Sequence, residues 1–88
     1  MSDVKGERQG VITMVYDHDH RGLMQTITEI QHENRDTIQS TLHAHVNDER
    51  CLEVILVRGD GAKLKEVAEK LMALKGVESV KLTTIPVN

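Results

Sequence analysis

The strongest structural signal in the chain comes from residues 38–58, IQSTLHAHVNDERCLEVILVR. Polar and apolar side chains alternate from Ile38 to Asn47, as they do along a strand whose two faces meet different surroundings. Residues 47–50 are Asn-Asp-Glu-Arg, a composition typical of a turn. Residues 51–58 predict a second strand, so the whole segment predicts an antiparallel β-hairpin.

On either side of this hairpin the sequence predicts one further strand and one further helix. A nearly continuous apolar, β-branched run predicts a strand at residues 11–16, and apolar residues at helical spacing predict a helix over residues 23–34. Beyond the hairpin, an apolar stripe within residues 64–74 predicts a second helix, and residues 77–85 predict the last strand. The order βαββαβ predicts an α+β, ferredoxin-like fold, with a four-stranded antiparallel sheet and two helices on one face.

The length of 88 residues is enough for one domain with one modest core. Residues 1–10 are polar and unpatterned, so we expect a tail or linker there and a single domain over residues 11–88. The chain has one Tyr and no Phe or Trp, so its core must be aliphatic. Aliphatic side chains bury less area than aromatic ones, and oligomerisation would add to that burial.

Composition excludes several classes of function. The net charge is −3 and there is no run of Lys and Arg, so the chain lacks the electrostatic footprint of a nucleic-acid-binding segment. A single cysteine cannot form an internal disulfide, and no segment resembles a signal peptide or a membrane span. We therefore expect a cytoplasmic protein without membrane contact, in which another domain makes any contact with DNA.

The hairpin carries three candidate metal ligands, His43, His45 and Cys51. Imidazole and thiolate are the protein groups that bind borderline-soft divalent transition metals most tightly. A lone strand histidine or a lone cytosolic cysteine is usually structural, so the prediction depends on whether the three side chains meet on one face.

Strand parity predicts that they do. Pairing the apolar residues of the two strands with each other places His45 opposite Cys51 and His43 opposite Glu53. Glu53 could then orient His43 through a hydrogen bond. We expect the apolar set, which includes Leu42, to face the helices, and all four polar residues to lie on the open face of the sheet.

Two further expectations follow from that placement. Ile55 and Val57 share the parity of Cys51, so the open face would also be apolar and would stack on another subunit. Three ligands leave a metal incomplete, and His32, at the end of the first helix, could complete it from a neighbouring subunit. His18 and His20 lie in a charged loop. The sequence is compatible with two interpretations of these residues, either solvent-exposed side chains or a subsidiary metal site.

Three short segments carry a family resemblance: Gln31-His32, Thr41-Leu42-His43-Ala44-His45 and Cys51-Leu52-Glu53-Val54. Their residues and spacing resemble the C-terminal domain of the nickel-responsive transcriptional regulators, the NikR family. The likeness extends from about Val11 to Ile85. A departure at Ser79-Val80-Lys81, where members often carry a His-Gly pair, puts a subsidiary metal site at that place in doubt.

This resemblance implies an ACT-like ferredoxin fold, assembly into a homotetramer through sheet faces, and square-planar Ni(II) at a subunit interface. The ligands it implies are His43, His45 and Cys51 of one subunit and His32 of its neighbour. It also implies that Glu53 and Tyr16 surround the ligands. The resemblance further implies that full-length members are repressors with an N-terminal ribbon-helix-helix domain that binds operator DNA, and we expect that domain to be absent from these 88 residues.

Other classes of function stay open at this point. An ACT-type module that binds an amino acid would use the backbone of a strand-helix loop and would not need the three ligands. A stand-alone transition-metal-binding protein would use the same three ligands but would have no attached DNA-binding domain. A metalloenzyme is disfavoured, because the sequence offers no general acid or base except Glu53 and no visible substrate cleft. We therefore expect a binding domain and not an enzyme.

Overall fold

The computed structural model describes residues 6–88, and its elements follow the predicted order. They are β1 (Glu7–Asp17), α1 (Leu23–Glu33), β2 (Ile38–His45), β3 (Arg50–Asp60), α2 (Gly61–Met72) and β4 (Val77–Pro86). The strands form one antiparallel sheet in the order β2-β3-β1-β4, which confirms the ferredoxin-like α+β fold. Within residues 6–88 no helix is long and apolar enough to cross a membrane.

Strand β1 begins earlier than the sequence predicts. The prediction assigns residues 1–10 to a tail or linker, whereas residues 7–10 pair with β3 and, from Arg8, with β4. Gly10 allows β4 to approach closely at this point, because a Cβ there would lie only 2.8 Å from a methyl group of Thr84. Residues 1–5 of the predicted tail lie outside the described residues.

Helix α1 starts after a glycine. Its N-cap is Gly22, which has φ 78° and makes no side-chain hydrogen bond. A positive φ strains other residues, so glycine is suited to this position. The Asp17 carboxylate accepts a hydrogen bond from the backbone N–H of Asp19, which stabilises the preceding turn.

Helix α2 is capped and terminated as its sequence indicates. Asp60 accepts a hydrogen bond from the backbone N–H of Ala62 at its start, and the chain reverses at Gly76 (φ 95°) after its end. A Cβ on Gly76 would lie 2.8 Å from His20 and from Leu23, so the turn packs closely under the β1–α1 loop. The inward residues of α2 are Leu64, Val67 and Leu71.

The two helices cover the sheet face opposite to the predicted one. Buried on the helix side are the odd-numbered residues of β3 and the even-numbered residues of β1: Cys51, Glu53, Ile55, Val57, Ile12, Met14 and Tyr16. The even-numbered residues of β3, predicted to face the helices, are instead half-buried or exposed on the other side. The predicted pairing is correct, but the predicted orientation of the sheet is wrong.

A buried carboxylate lies on the helix-covered side of the sheet. From Cys51 to Val57 both faces of β3 are apolar except for Glu53, and a glutamate normally indicates the solvent-facing side of a strand. Glu53 is nevertheless 0% exposed, and Tyr16, Gln31 and His43 all contact its oxygens. A buried carboxylate is tolerated when it is hydrogen-bonded in this way.

The face without helices, which we call the open face, is apolar as predicted but carries other residues. Ile55 and Val57, expected there, are in the core. The aliphatic members of the open face include Val11, Val15, Leu42, Ala44, Leu52, Val54, Leu56 and Ile85. Leu42 is 69% exposed and Leu56 is 42% exposed, so a contiguous apolar surface of this kind favours contact with another protein surface.

Candidate metal centre

Strands β2 and β3 bring together the three ligands predicted on the hairpin. The register places His45 opposite Cys51 and His43 opposite Glu53, as predicted. Directly opposed residues have Cβ atoms about 5 Å apart, and residues two apart along a strand are separated by about 7 Å. The two imidazoles and the thiol therefore share one face. That face is the helix side and not the open face, which corrects the predicted placement.

The imidazoles remain accessible because β2 is an edge strand. Apart from Ile38, the residues of β2 are exposed, and the His43 side chain is 48% exposed although it lies on the helix side. Cys51, one strand further in, is only 6% exposed. The candidate centre therefore has its thiol at the margin of the core and its two imidazoles at the outer edge of the sheet.

Glu53 connects three elements beneath the imidazoles. Its Oε1 lies 3.1 Å from His43 Nε2 and accepts a hydrogen bond from the Tyr16 hydroxyl at 3.4 Å. Its Oε2 accepts a hydrogen bond from Gln31 Nε2. Because β1, β2 and the last turn of α1 each supply a partner, the Glu53 carboxylate fixes their positions relative to one another.

Tyr16 lies directly opposite Cys51 on the other side of β3 from β2. Its side chain is wholly buried, and burial raises the pKa of the phenol well above its ordinary value of about 10. The Glu53 carboxylate and the Cys51 thiol raise that pKa further, since both disfavour a phenolate beside them. Tyr16 therefore remains a neutral hydrogen-bond donor next to the candidate centre.

His18, which the sequence places in a charged loop, contacts the candidate centre. Its ring stacks on that of His45, with centroids 5.9 Å apart and planes 26° from parallel. Its Nε2 lies 2.8 Å from the carbonyl oxygen of Asp48, and its Nδ1 lies 3.1 Å from the Asp19 carboxylate. These contacts attach the β1–α1 loop to the hairpin turn. His20 is exposed and lies beside Gly76.

His32 lies in the last turn of α1. Gln31, the preceding residue, reaches Glu53. Successive helix residues are roughly 100° apart around the axis, so His32 projects in a different direction from Gln31. Its exposed ring instead contacts Arg35, with 3.4 Å between His32 Nε2 and Arg35 Nη1.

One chain does not hold an assembled metal site. Among residues 6–88, no three His, Cys, Asp or Glu side chains are arranged so that they could hold a metal ion. His43 turns toward Glu53, His45 stacks on His18, and His32 contacts Arg35. The donor types nevertheless fit a transition metal, because two imidazoles and a thiol lie at neighbouring positions of one face.

Sequence reasoning missed two members of this arrangement, Gln31 and the stacking role of His18. Gln31 precedes His32 in the helix, and its contact with Glu53 depends on the true orientation of the sheet. The His18 contact joins a loop to a hairpin that is distant in sequence. Tyr16 and Glu53 were both predicted near the ligands, and the structure places them in contact with each other.

Residues 9–85 match the protein family described as the NikR C terminal nickel binding domain. The chain belongs to this family. The match covers most of the chain, including all four candidate ligands, and confirms the resemblance drawn from the three segments of sequence. Membership in the NikR family also confirms that the chain is a regulatory domain and not an enzyme.

Among curated proteins, the chain is similar to two that are named nickel-responsive regulators. It is 56% identical over 88 residues to one from Methanocella arvoryzae, and it covers 63% of that protein. It is 55% identical over 87 residues to one from Methanothrix thermoacetophila, and it covers 62% of that protein. The chain therefore spans less than two thirds of the length of these NikR relatives.

Solved structures with low identity share the fold. The ACT domain of a GTP pyrophosphokinase from Chlorobium tepidum matches with a TM-score of 0.75 and 21% identity, over 89% of this chain and 100% of that one. An uncharacterized protein from Thermotoga maritima matches with a TM-score of 0.74 and 19% identity, over 94% and 100% of the two chains. The NikR domain therefore has an ACT-like architecture.

Proposed function

We propose that this chain is a nickel-sensing regulatory domain that binds Ni(II) between subunits. In this proposal His43, His45 and Cys51 of one subunit and His32 of a neighbouring subunit are the ligands. The observation that carries it is the register of β2 and β3, which puts His45 opposite Cys51 and His43 on the same face. These residues belong to a chain of the NikR nickel-binding family.

The orientation of α1 supports a His32 contribution from a neighbouring subunit. Gln31 is directed at Glu53 of its own chain, so His32 projects from the exposed side of the helix. An exposed ring near the end of a helix is available to another subunit. The edge strand β2, with both of its imidazoles exposed, offers a neighbour direct access to the other ligands.

The chain's own residues prepare the donors before any metal arrives. The Glu53 carboxylate accepts from the Nε2–H of His43, which leaves the lone pair of that ring on Nδ1. A carboxylate that orients a ligating imidazole in this way is a common feature of metal sites. His45 lies opposite Cys51, and its ring stacks on that of His18.

His43, His45 and Cys51 of one subunit and His32 of a neighbouring subunit would hold nickel, which would then link the two subunits. The same Glu53 that holds His43 also holds Gln31, the neighbour of His32 in sequence. Movement of the β2 edge is therefore connected to the last turn of α1 by two contacts to one carboxylate. Regulation requires that metal bind one arrangement of these elements better than the other. Residues 31–37, next to His32, are the segment that we propose to change.

The open face supports assembly into a homotetramer through sheet faces. Its aliphatic residues are uncovered on one side of a small domain, and stacking against another subunit would bury them. Because the ligands lie on the opposite face and at the β2 edge, one subunit could use the open face for assembly and the edge for metal binding. Two different contacts of this kind are sufficient to build a tetramer from dimers.

Control of operator DNA would be exerted by an N-terminal domain outside these 88 residues. The NikR relatives are longer than this chain and are named regulators. The chain itself has a net charge of −3, which does not favour contact with phosphates. We therefore propose a cytoplasmic repressor in which this domain senses nickel and the other domain reads DNA.

Nickel titration of the purified chain tests the proposal. Wild-type protein should develop a thiolate-to-nickel charge-transfer band in the visible or near-ultraviolet, and Cys51→Ala should lose it. His20→Ala, which removes an exposed histidine outside the ligand set, is the matched control and should retain the band. A charge-transfer band of wild-type intensity in Cys51→Ala would contradict the assignment of the thiol.

The pH dependence of binding gives a second check on the donor types. Metal binding needs Cys51 as a thiolate and a free lone pair on each imidazole, so protons compete with the metal. Nickel affinity should therefore fall as the pH is lowered. An affinity that stays constant as the pH is lowered would contradict ligation by imidazole and thiolate.

A further inference from the structure

Arg35 contacts one ring nitrogen of His32, the candidate ligand in the last turn of α1. Arg35 follows the end of α1, three residues after His32, and its Nη1 lies 3.4 Å from His32 Nε2. The same Nη1 donates a hydrogen bond to the His32 carbonyl oxygen at 3.2 Å. The backbone N–H of Arg35 donates to that carbonyl as well, at 3.3 Å. These contacts hold the guanidinium beside the imidazole.

The chemistry of the pair fixes which ring nitrogen bears the proton. A guanidinium has five N–H donors and no acceptor, and it stays charged at all ordinary pH values. It can therefore hydrogen-bond to Nε2 only when that nitrogen presents its lone pair and the proton is on Nδ1. The contact selects this tautomer of His32.

That tautomer conflicts with metal binding by either nitrogen. Ligation through Nε2 needs the lone pair that Arg35 occupies. Ligation through Nδ1 needs the proton on Nε2, which the contact with Arg35 opposes. In both cases the guanidinium also places a positive charge beside the incoming cation.

We propose that Arg35 competes with the metal for His32 and so sets the nickel concentration at which His32 is released to a neighbouring subunit. This inference rests on the proposed role of His32 as a ligand. Arg35 is then a positioning residue that acts through His32 and does not itself touch the metal. Its contacts to the His32 carbonyl keep it in place when the imidazole leaves.

The first test needs no metal. Nitrogen-15 spectra of the histidine rings, recorded at pH 8 with chelator present, report the tautomer of His32. The wild-type protein should show the Nδ1–H form, and Arg35→Ala should shift His32 toward a mixture of both forms. Arg21→Ala is the matched control, because Arg21 is also exposed but precedes the start of α1, whereas His32 lies near its end. At 1.5 Å per residue, the length of the helix separates the two residues by about 15 Å. An unchanged tautomer in Arg35→Ala would overturn the inference.

The second test measures nickel affinity by competition with a chelator. Arg35→Ala should tighten binding about two- to fivefold, the range expected for removing one exposed hydrogen bond to a charged group. Arg21→Ala should not change it beyond the effect of losing one distant charge. In a His32→Ala background, Arg35→Ala should change nickel affinity no more than Arg21→Ala does, because there is no ring to release.

The two tests separate this inference from the proposed function. If His32→Ala leaves nickel affinity unchanged, the ligand assignment fails, whereas the tautomer measurement still reports on Arg35. If His32→Ala weakens binding but Arg35→Ala does not strengthen it, the ligand assignment stands and the competition by Arg35 is refuted. Tighter binding that persists in the His32→Ala background would also refute it.

Discussion

Replacing Glu53 with alanine tests the buried contacts on which the orientation of the sheet depends. Glu53 is 0% exposed and contacts Tyr16, Gln31 and His43. Gln31 and His43 are near the surface and can turn to water when the carboxylate is removed. The Tyr16 hydroxyl is wholly buried and loses the carboxylate that accepts its hydrogen bond.

The expected cost follows from two terms. An unpaired buried hydroxyl costs about 1–3 kcal/mol, and the space left by the missing side chain adds about 1–2 kcal/mol. Relief of the desolvation of the carboxylate offsets part of this sum. We therefore expect Glu53→Ala to lower the free energy of unfolding by about 2–4 kcal/mol, which for a domain of this size lowers Tm by roughly 10–25 °C.

Urea and thermal unfolding, followed by far-ultraviolet circular dichroism with chelator present and at equal protein concentrations, measure this cost. Glu78→Ala is the matched control, because Glu78 forms an exposed ion pair with Arg50, and its loss should cost less than about 1 kcal/mol. Adding Tyr16→Phe to Glu53→Ala should restore about 1 kcal/mol by removing the unpaired hydroxyl.

Two results would refute the reasoning about Glu53. One is a Glu53→Ala cost no greater than that of Glu78→Ala, as expected of a glutamate on the solvent-facing side of the sheet. The other is strict additivity of Glu53→Ala and Tyr16→Phe, which would show that the two side chains do not interact in the folded protein.

Three further predictions concern the rest of the domain. Burial, Glu53 and Cys51 raise the pKa of Tyr16 in the folded protein. The contribution of the protonated Tyr16 to the free energy of unfolding should therefore be complete below pH 10 and should decline above it, because there only the unfolded chain loses the phenol proton. Absorbance at 295 nm should show no tyrosinate at pH 11 in folded protein and clear tyrosinate in urea; early ionisation in the folded state would contradict this burial. Leu42→Glu should preserve the fold but reduce the mass in sedimentation, since Leu42 is 69% exposed on the open face; an unchanged mass would exclude assembly through this face. Gly76→Ala should cost about 1–3 kcal/mol in urea unfolding, because φ is 95° and the new Cβ would lie 2.8 Å from His20 and Leu23. Gly22→Ala has the strained φ without the close contact and should cost less; equal costs would show that the loop above Gly76 is not closely packed.

The element order and the hairpin register could be predicted from the sequence because their signals are local. Alternation along residues 38–47 and the turn at residues 47–50 fix which side chains of β2 and β3 share a face. These local signals are sufficient to place His45 opposite Cys51. Which face the helices cover could not be predicted in the same way, since between Cys51 and Val57 both sets of β3 residues are apolar apart from Glu53.

The partners of Glu53 explain why the prediction was wrong on this point. They come from β1, α1 and β2, and no local pattern shows that three donors from distant segments will meet one carboxylate. The stacking of His18 on His45 was missed for the same reason. The prediction that His32 serves a neighbouring subunit assumed that the ligands lie on the open face, which is wrong. The proposal now depends on the helix geometry of α1, in which Gln31 is directed at Glu53 and His32 projects in a different direction.

Mixing subunits with complementary defects tests the central claim most directly. Subunits carrying His32→Ala and subunits carrying Cys51→Ala should each fail to form the complete site alone. When the two proteins are unfolded together and refolded as a mixture, His43, His45 and Cys51 of one subunit can meet His32 of the other. The thiolate-to-nickel charge-transfer band should then return, and nickel should bind with an affinity near that of the wild type. Recovery of the band in the mixture is the predicted result. A mixture that binds nickel no better than the His32→Ala protein alone would contradict a site shared between subunits.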